Sequence, residues 1–362
     1  MSRQEIDRDV LAWMSEPWET SNDESRFTAL ALRLFAHQFE RCAPYRAFCE
    51  ARGVRPGSIA HWEDVPPAPT GAFKAFALRS FSASATRQTF RTSGTTGETR
   101  GELHLDTTAL YENSLRASFA RGVLADCPGR VRMLILAPPL EEASDSSLSY
   151  MFDVMLRERG APGSEFFLRD GALRIDACIE ALVDAQQARG PVLVAGTAFA
   201  FVHLIDALSR RALTFRLGSG ARIMETGGFK GRSREVPREE LYADLRGLLG
   251  IREARIVNQY GMTELGSQFY DSSIASPDEP RRKLVPPWVR VSALRPEDHS
   301  VCALGEFGML RIHDLANTGS VAAVQTADVG RCVPGGFEVI GRSAGSDIRG
   351  CSVAADARLA SA

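Results

Sequence analysis

The sequence lacks any long block of charge of one sign. Its 43 Lys and Arg residues nearly balance 45 Asp and Glu residues, which gives a formal net charge of −2. Lysine itself is scarce, since only Lys74, Lys230 and Lys283 occur, and arginine carries the remaining positive charge. General electrostatic binding of nucleic acid needs many cationic phosphate contacts, so no nucleic-acid partner is expected.

Paired cysteine motifs and long hydrophobic runs are also missing. The seven cysteines are scattered, odd in number and form no CxxC pair, which favours reduced thiols over a disulfide scaffold or a zinc site. The opening residues, MSRQEIDRDVLAW, are too charged for a signal peptide, and no apolar run approaches the roughly 18 residues of a membrane span. We therefore expect a soluble, cytoplasmic protein with no membrane partner.

The apolar pattern that is present predicts an α/β fold. From about residue 130 to residue 258, short apolar runs alternate with longer amphipathic stretches, and this rhythm favours a mainly parallel sheet flanked by helices. Ligands of such sheets collect at the carboxyl ends of the strands. Before this region, Ser21 and Glu24 fit a capping box for an amphipathic helix over 23–41. After it, short strands predict a smaller β-rich subdomain; they cover 284–291, 306–312, 321–326 and 337–340.

Residues 91–101, RTSGTTGETRG, form a segment rich in glycine and hydroxyl groups. Such a loop can aim hydroxyls and backbone N–H groups at phosphate oxygens without steric cost. It is not a Walker A loop, because Gly94 and Gly97 are too close and no lysine follows them. A solvated Ser/Thr/Gly turn is the alternative.

A second polar segment, NQYGMTELGS, occupies residues 258–267, directly after a predicted strand over 254–257. It offers an aromatic ring to stack on a base, a hydroxyl for an oxyanion and a carboxylate suited to Mg²⁺. The alternative is an ordinary strand-to-loop turn with a tyrosine in the core.

Together the two segments resemble those of the adenylate-forming enzymes, the superfamily of acyl-CoA synthetases, firefly luciferase and peptide-synthetase adenylation domains. Three more segments are similar and follow in the same order: ETGGFKG at 225–231, QTADVG at 325–330 and IGRS at 340–343. Within the superfamily the chain resembles the LuxE-type acyl-protein synthetases of the bacterial luminescence fatty-acid reductase. The segments that carry this second resemblance are PTGAFK (69–74), SGTTG (93–97), TGGFKG (226–231), YGMTELGSQFYD (260–271), HDLAN (313–317) and RGCS (349–352).

The resemblance implies a fold, a reaction and cofactors. The fold would be the N-terminal body of an adenylate-forming enzyme with a small β-rich subdomain. ATP and a carboxylic acid, fatty or aryl, would form an acyl-adenylate and pyrophosphate with the help of Mg²⁺, and the acyl group would then pass to a thiol. That thiol would be Cys351, the phosphopantetheine of an acyl carrier protein, or CoA. A reductase or an acyltransferase is the implied further partner.

The resemblance also assigns roles to residues. Glu264 would bind Mg²⁺, Thr263 would position the α-phosphate or the carboxylate, and Tyr260 would stack on adenine. Asp328 would accept hydrogen bonds from the ribose, and Arg342 would approach the nucleotide from a hinge. The implied nucleotide-binding residues are Thr92, Ser93, Gly94, Thr95, Thr96, Gly97, Gly227, Gly228, Tyr260, Gly261, Met262, Thr263, Asp328 and Arg342.

One departure from the superfamily concerns the C-terminal lid, which supplies a lysine for adenylation in full-length members. The printed chain ends twenty residues after Arg342 and has no lysine there, so we expect a truncated or absent lid. Lys230, Lys74 or Arg100 would then supply the cation, or a separate protein would. The expected parts of the chain are a helical segment (1–90), an α/β nucleotide-binding core (91–280), a β-rich subdomain (281–341) and a tail carrying Cys351 (342–362).

The sequence leaves other interpretations open. One is a carboxylate:CoA or carrier-protein ligase of the phenylacetate-activating type, and another is a non-catalytic subunit that binds an acyl group or a nucleotide. Cys351 is a candidate thiolate nucleophile beside Arg349, or a packing cysteine. Phe199, Phe201 and His203 would line an acyl pocket, or belong to the core.

Overall fold

Helices and strands alternate along the chain as the apolar pattern predicts. The computed structural model describes residues 2–18, 23–93, 99–227 and 236–342. The α-helices of these residues are α1 (Arg3–Met14), α2 (Glu24–Arg41), α3 (Ala43–Glu50), α4 (Ala72–Ala75), α5 (Ala109–Gly122), α6 (Ser147–Arg159), α7 (Ile175–Ala188), α8 (Ala198–Arg210) and α9 (Arg238–Leu249). The strands are β1 (Ala68–Pro69), β2 (Gln88–Arg91), β3 (Glu102–Leu105), β4 (Arg132–Leu136), β5 (Glu165–Phe166), β6 (Leu168–Arg169), β7 (Ala172–Leu173), β8 (Val192–Thr197), β9 (Arg222–Thr226), β10 (Ile256–Tyr260), β11 (Phe269–Tyr270), β12 (Val289–Leu294), β13 (Phe307–Asp314), β14 (Ala323–Val333) and β15 (Gly336–Arg342).

A central sheet of six strands has the order β11-β10-β9-β8-β4-β5. All neighbours in it are parallel except β10 and β11. Successive residues of β4 face opposite sides, with Met133 and Ile135 in one buried cluster and Leu134 and Leu136 in another. Because both faces are covered, these strands read as continuous apolar runs, and the predicted α/β fold is confirmed.

The two faces of the central sheet carry different layers. Helices α7, α8 and α9 pack on one face, through buried residues such as Leu182, Leu204 and Leu245. The other face shares a core with α5, α6 and the N-terminal helices, and this core also includes residues of a second sheet, such as Leu310 and Ile312.

The second sheet has the order β1-β14-β13-β12, with β15 also paired to β14. The first half of β14 pairs in parallel with β1, at Ala68↔Val324 and Pro69↔Gln325. Its second half pairs antiparallel with β15, from Asp328↔Arg342 to Val333↔Gly336. Thus a strand from the first ninety residues completes the β-rich unit.

Helix α2 confirms the predicted amphipathic helix but not its predicted cap. Phe27, Leu30 and Leu34 lie on its buried face as expected. The N-cap is Asp23, whose carboxylate accepts the backbone N–H of Arg26 at 2.9 Å. Because Asp23 is the N-cap, Glu24 is the first helical residue and not the third, so the predicted capping box of Ser21 and Glu24 is wrong.

The strand predicted over 284–291 begins late. Strand β12 starts at Val289, whose backbone N–H donates to Pro286 O at 2.9 Å in a turn. Two consecutive prolines, at 286 and 287, lack the N–H groups that a strand ladder needs. The other predicted strands of this region correspond to β13, β14 and β15.

Two antiparallel hairpins complete the architecture, β2 with β3 and β6 with β7. No helix among the described residues combines the length and apolar character that crossing a bilayer requires.

Candidate active site

The carboxyl ends of the parallel strands β8, β9 and β10 meet at one edge of the central sheet. Thr226, at the end of β9, is in register with Thr197 of β8 and Gln259 of β10. The Thr226 hydroxyl donates to the side-chain amide oxygen of Gln259. Gly227 follows with φ of +87°, a backbone conformation that favours glycine. This edge therefore brings together the two loops from which the sequence predicts nucleotide contacts.

Tyr260 joins this edge to the second sheet. Its hydroxyl donates to Asp328 Oδ2 at 2.8 Å, across 68 residues of sequence. Its ring packs against Phe269 and Phe337, with centroids 5.9 Å and 5.8 Å away. The backbone of Asp328 is in register with that of Arg342 on β15. Tyr260, Asp328 and the main chain of Arg342 thus come together, as the predicted nucleotide site requires.

The loop after Tyr260 is held by the HDLAN segment, residues 313–317. Thr263 and Glu264 are buried, and Asn317 Nδ2 donates to Glu264 O at 2.9 Å. The hydroxyl of Ser267 donates to Asp314 Oδ1 at 2.8 Å. These bonds hold the loop at Glu264 and again at Ser267, three residues later.

Glycine is also needed in this loop, at Gly266. A Cβ there would lie 2.9 Å from the carbonyl carbon of Ala316, so the loop approaches the HDLAN segment too closely for another residue.

The glycine- and hydroxyl-rich segment is the end of the β2–β3 hairpin. The backbone N–H of Thr92 donates to Gly101 O at 2.8 Å, and Gly101 N–H donates to Thr92 Oγ1 at 2.7 Å. Ser93 is buried, with 1% of its surface exposed. Gly94, Thr95, Thr96 and Gly97 lie outside the described residues.

Asp145 links this hairpin to the start of α6. Arg100 Nη1 donates to Asp145 Oδ2 at 2.7 Å, and the backbone N–H of Arg91 donates to Asp145 O at 2.9 Å. Ser146, the next residue, caps α6 with its hydroxyl, which accepts the backbone N–H of Ser149. The hairpin base is therefore fixed against the N-terminus of α6.

A pocket opens where α6 meets the strand ends, with about 310 Å³ of empty space including its mouth. It lies between the first turn of α6 and the loops after β9 and β10; the residues on these two sides are Ser147, Leu148, Thr226, Gln259, Gly261 and Met262. Asp145 lies two residues before Ser147, so the two sequence motifs border a single region of the molecule.

The predicted cations have different surroundings. Lys230 and Gly228 lie outside the described residues. Lys74 and Arg100 line an open cleft beside the hairpin, together with Arg91 and Glu102. Arg100 is already paired with Asp145.

Protein side chains alone do not form a metal site in the described part of the chain. No three His, Cys, Asp or Glu side chains come together there. Mg²⁺ is commonly held by one or two carboxylates together with substrate phosphates, and the loop that borders the pocket at Gly261 and Met262 carries one carboxylate, Glu264. The single carboxylate therefore fits a metal that arrives with the nucleotide.

Sequence reasoning missed a buried polar network beneath this edge. Asn258 Nδ2 donates to Glu225 at 2.7 Å, and Lys283 Nζ donates to Asn258 O at 2.8 Å. Lys283 also pairs with Asp271 at 2.9 Å. Burial raises the pKa of Glu225 and lowers that of Lys283. The available signal was that Lys283 is one of only three lysines in a chain that otherwise uses arginine.

Three further predictions concern the acyl-pocket residues on α8, the state of the cysteines and the nucleophile Cys351. Phe199 and Phe201 lie on the buried face of α8 and His203 is exposed, and none of the three lines the pocket beside Gly261. The described cysteines are free thiols. Cys351 and the tail after Arg342 lie outside the described residues, so the role of Cys351 as a nucleophile stays a prediction.

Comparison with solved structures defines the class of protein. The chain superposes on 2-hydroxyisobutyryl-CoA ligase, in a complex with its acyl-AMP and CoA, with a TM-score of 0.64 and 14% identity. This likeness covers 94% of the chain and 69% of that ligase. An open conformation of the same ligase gives a TM-score of 0.64 at 13% identity, over 89% of the chain and 76% of that ligase. The fold is that of the adenylate-forming enzymes.

Comparison with protein families narrows this class. The LuxE acyl-protein synthetase family matches residues 1–360, and the chain belongs to this family. The long-chain-fatty-acid–luciferin-component ligase of Aliivibrio fischeri is 24% identical over 328 residues, which are 89% of this chain and 84% of that one. The enzyme of the same name from Vibrio harveyi is 21% identical over 90% of this chain and 84% of its own. The protein is an ATP-dependent ligase that activates a carboxylic acid as an acyl-adenylate and passes the acyl group to a thiol.

Proposed function

We propose that this ligase transfers the activated acyl group to its own Cys351 and so acts as an acyl-protein synthetase. The carrying observation is that the β2–β3 hairpin is fixed to the N-terminus of α6, and that the first turn of α6 shares a pocket with the end of β10, the strand whose Tyr260 bonds to Asp328. The family description, which names a protein as the acyl acceptor, supports the choice of Cys351.

The first step joins two anions, so the cleft must offset their charge. In our proposal the hairpin, from Thr92 and Ser93 through Thr96 and Gly97, holds the phosphates with hydroxyls and backbone N–H groups. Glu264 would hold Mg²⁺, and the metal would supply charge neutralisation at the phosphates. Thr263 holds the carboxylate in line with the α-phosphorus, because a fixed approach removes much of the entropic barrier.

The nucleoside end of ATP lies between the two sheets in this proposal. Tyr260 stacks on adenine beside Gly227 and Gly228, and the Asp328 carboxylate accepts the ribose hydroxyls. Tyr260 and Asp328 are already bonded at 2.8 Å, so their side chains are oriented before the nucleotide binds. Arg342, in register with Asp328, approaches the same nucleotide.

A cation is needed near the phosphates during adenylation. Lys230, which follows the Gly227–Gly228 pair, is our candidate. Lys74 and Arg100, which line a cleft beside the hairpin, are the alternatives.

In the second step the Cys351 thiolate attacks the carbonyl carbon of the acyl-adenylate. The Sγ–C bond forms, the bond from carbon to the phosphate oxygen breaks, AMP leaves with that oxygen, and the thiol proton goes to solvent. The nearby Arg349 favours the thiolate. An acyl carrier protein, a reductase or an acyltransferase would then take the acyl group.

Intact-protein mass spectrometry tests the acceptor. After incubation with ATP, Mg²⁺ and a panel of acids, the wild-type chain should gain one acyl group that hydroxylamine removes, and Cys351→Ser should gain none. Cys302→Ser, which replaces a partly exposed cysteine outside the cleft, should behave as wild type.

Pyrophosphate release separates the two steps in the same samples. Cys351→Ser should still release pyrophosphate when acid is added, because adenylation precedes transfer. Acylation that persists in Cys351→Ser would contradict the proposal. CoA thioester formation without protein acylation would assign the acceptor to CoA.

A further inference from the structure

A buried amide side chain holds the main chain of Glu264. Asn317 is 1% exposed, and its Nδ2 donates to Glu264 O at 2.9 Å and to Val321 O at 3.0 Å. Both acceptors are carbonyl oxygens, so only the NH₂ end of the Asn317 amide can face them. This side chain therefore ties the loop after β10 to the segment that precedes β14.

Gln38 of α2 holds Asn317 in turn. Gln38 is also 1% exposed, and its Nε2 donates to Asn317 O at 2.9 Å, across 279 residues of sequence. Its Oε1 accepts the backbone N–H of Ala322 at 3.0 Å. Both ends of this amide are thus used inside the protein, as a buried glutamine requires. Two amide side chains in succession therefore connect a helix of the N-terminal region to the main chain of Glu264.

Thr263 and Glu264 are the central residues of a turn. The backbone N–H of Leu265 closes this turn on Met262 O at 3.3 Å, which is long for an N–H···O hydrogen bond. The bond from Asn317 to Glu264 O is shorter, at 2.9 Å, and it restrains the planar peptide group that follows the Glu264 Cα. Because the Cα–Cβ bond starts from the same atom, this restraint limits where the Glu264 carboxylate can point.

We propose that Asn317, and Gln38 through it, are positioning residues that hold Glu264 ready to bind Mg²⁺. This ion demands near-ideal octahedral geometry, so a carboxylate that changes direction binds it less well. Hydrogen bonds from residues outside the ligand set commonly fix the groups that hold a metal. Neither amide touches the metal in this proposal. The inference rests on the proposed role of Glu264.

Hydrogen exchange of the metal-free chain tests the restraint directly. In Asn317→Ala and Gln38→Met, peptides that cover 260–271 should exchange at least tenfold faster than in wild type, because a loop that has lost an anchor opens more often. Ser320→Ala is the matched control. Its hydroxyl is equally buried in the same segment and donates to Leu78 O at 2.6 Å, so it holds a different part of the chain. Exchange of 260–271 at the wild-type rate in both test variants would overturn the inference.

The contribution of the metal to nucleotide binding is a second readout, and it needs no turnover. Calorimetry measures the dissociation constant of α,β-methylene-ATP, an analogue that cannot release pyrophosphate, with saturating Mg²⁺ and with EDTA. The ratio of the two constants reports the coupling between metal and nucleotide. Asn317→Ala and Gln38→Met should reduce this ratio at least fivefold and leave the constant in EDTA near its wild-type value. Ser320→Ala should keep the wild-type ratio.

Glu264→Gln separates this inference from the proposed function. A wild-type ratio in Glu264→Gln would contradict the proposed metal role and overturn both. A reduced ratio in Glu264→Gln, together with wild-type ratios in Asn317→Ala and Gln38→Met, would overturn the inference alone. Methionine keeps the unbranched shape of Gln38, and circular dichroism checks the fold of each variant. An equal loss in Ser320→Ala, or failure of both test variants to fold, would assign these bonds to general stability and overturn the inference as well.

Discussion

Asp314 is a fully buried carboxyl group, and its burial disfavours the ionised form. Its Oδ1 accepts hydrogen bonds from Ser267 and from the backbone N–H of Ala316, while Oδ2 has no partner among the residues that the structure describes. Burial raises the pKa of Asp314 from 3.8 to about 6, against the effect of these hydrogen bonds. The folded state therefore binds the proton more tightly than the unfolded state does.

Replacement of Asp314 by Asn should make stability less dependent on pH. Between pH 4 and pH 6 the wild-type carboxyl loses a proton in the unfolded state first, so wild-type stability falls as the pH rises. The free energy of unfolding of Asp314→Asn relative to wild type should therefore rise by roughly 2 kcal/mol from pH 4 to pH 7. Urea unfolding at both pH values measures this difference.

The neighbouring His313 also titrates, but its titration should not alter the difference in unfolding free energy between the two proteins. Burial lowers its pKa to about 3, so it also affects stability in acid, but it is present in both proteins and cancels in the difference. An equal difference at pH 4 and pH 7 would contradict the raised pKa of Asp314.

Side-chain contacts between residues that are far apart in sequence were the part of the site that the sequence predicted least. The sequence predicted that Tyr260 and Asp328 bind one nucleotide, but not that they bond to each other. The orientation of Gln268 toward the pocket was equally hidden. Such contacts depend on how β10 and β14 pack in three dimensions, and neither apolar periodicity nor motif spacing carries that information.

At the scale of elements, the segment around Lys283 connects the two sheets. The backbone N–H of Lys283 donates to the carbonyl oxygen of Phe337, a residue of β15, at 2.7 Å. Its ammonium group, buried with 4% exposure of the residue, contacts Asp271 and Asn258 next to β10 and β11. Burial works against the charge of Asp271, but Lys283 and Arg281 together hold its pKa below the ordinary value. The segment thus fixes the strand that carries Tyr260 relative to the one that carries Asp328.

Lys283→Met should destabilise the chain by about 3–5 kcal/mol, because it leaves the Asp271 carboxylate buried with less compensation. Chemical denaturation measures the loss. The double variant Lys283→Met/Asp271→Asn should lose less than the sum of the two single variants, since residue 271 then carries no buried charge for Lys283 to compensate. Strict additivity would contradict the coupling of this pair.

Elements with both faces buried were the easiest to predict. Strands β4, β8, β9 and β10 appear in the sequence as short apolar runs because helices or a second sheet cover both sides. Strand β1 was not predictable, since two residues in a proline-rich stretch carry no strand pattern. Its pairing with β14 spans some 250 residues and depends on the finished second sheet.

At the scale of the whole molecule, two segments distant in sequence border one cleft through α6. Asp145 holds the hairpin base, and Ser147 and Leu148 share a pocket with Gly261 and Met262. The resemblance to the adenylate-forming enzymes predicted this meeting. Sheet geometry alone predicts only the position of the second segment, which follows the carboxyl end of the parallel strand β10. The helix that joins them was predicted as an element, but its role in the site was not.

The central claim is that this cleft forms an acyl-adenylate from ATP and an acid. The most direct test is exchange of labelled pyrophosphate into ATP by the purified chain, with and without acid, in wild type and Glu264→Gln. We predict exchange that depends on both acid and Mg²⁺ in wild type and falls at least a hundredfold in Glu264→Gln, with folding unchanged by circular dichroism. Acid-dependent exchange at the wild-type rate in Glu264→Gln would contradict the account.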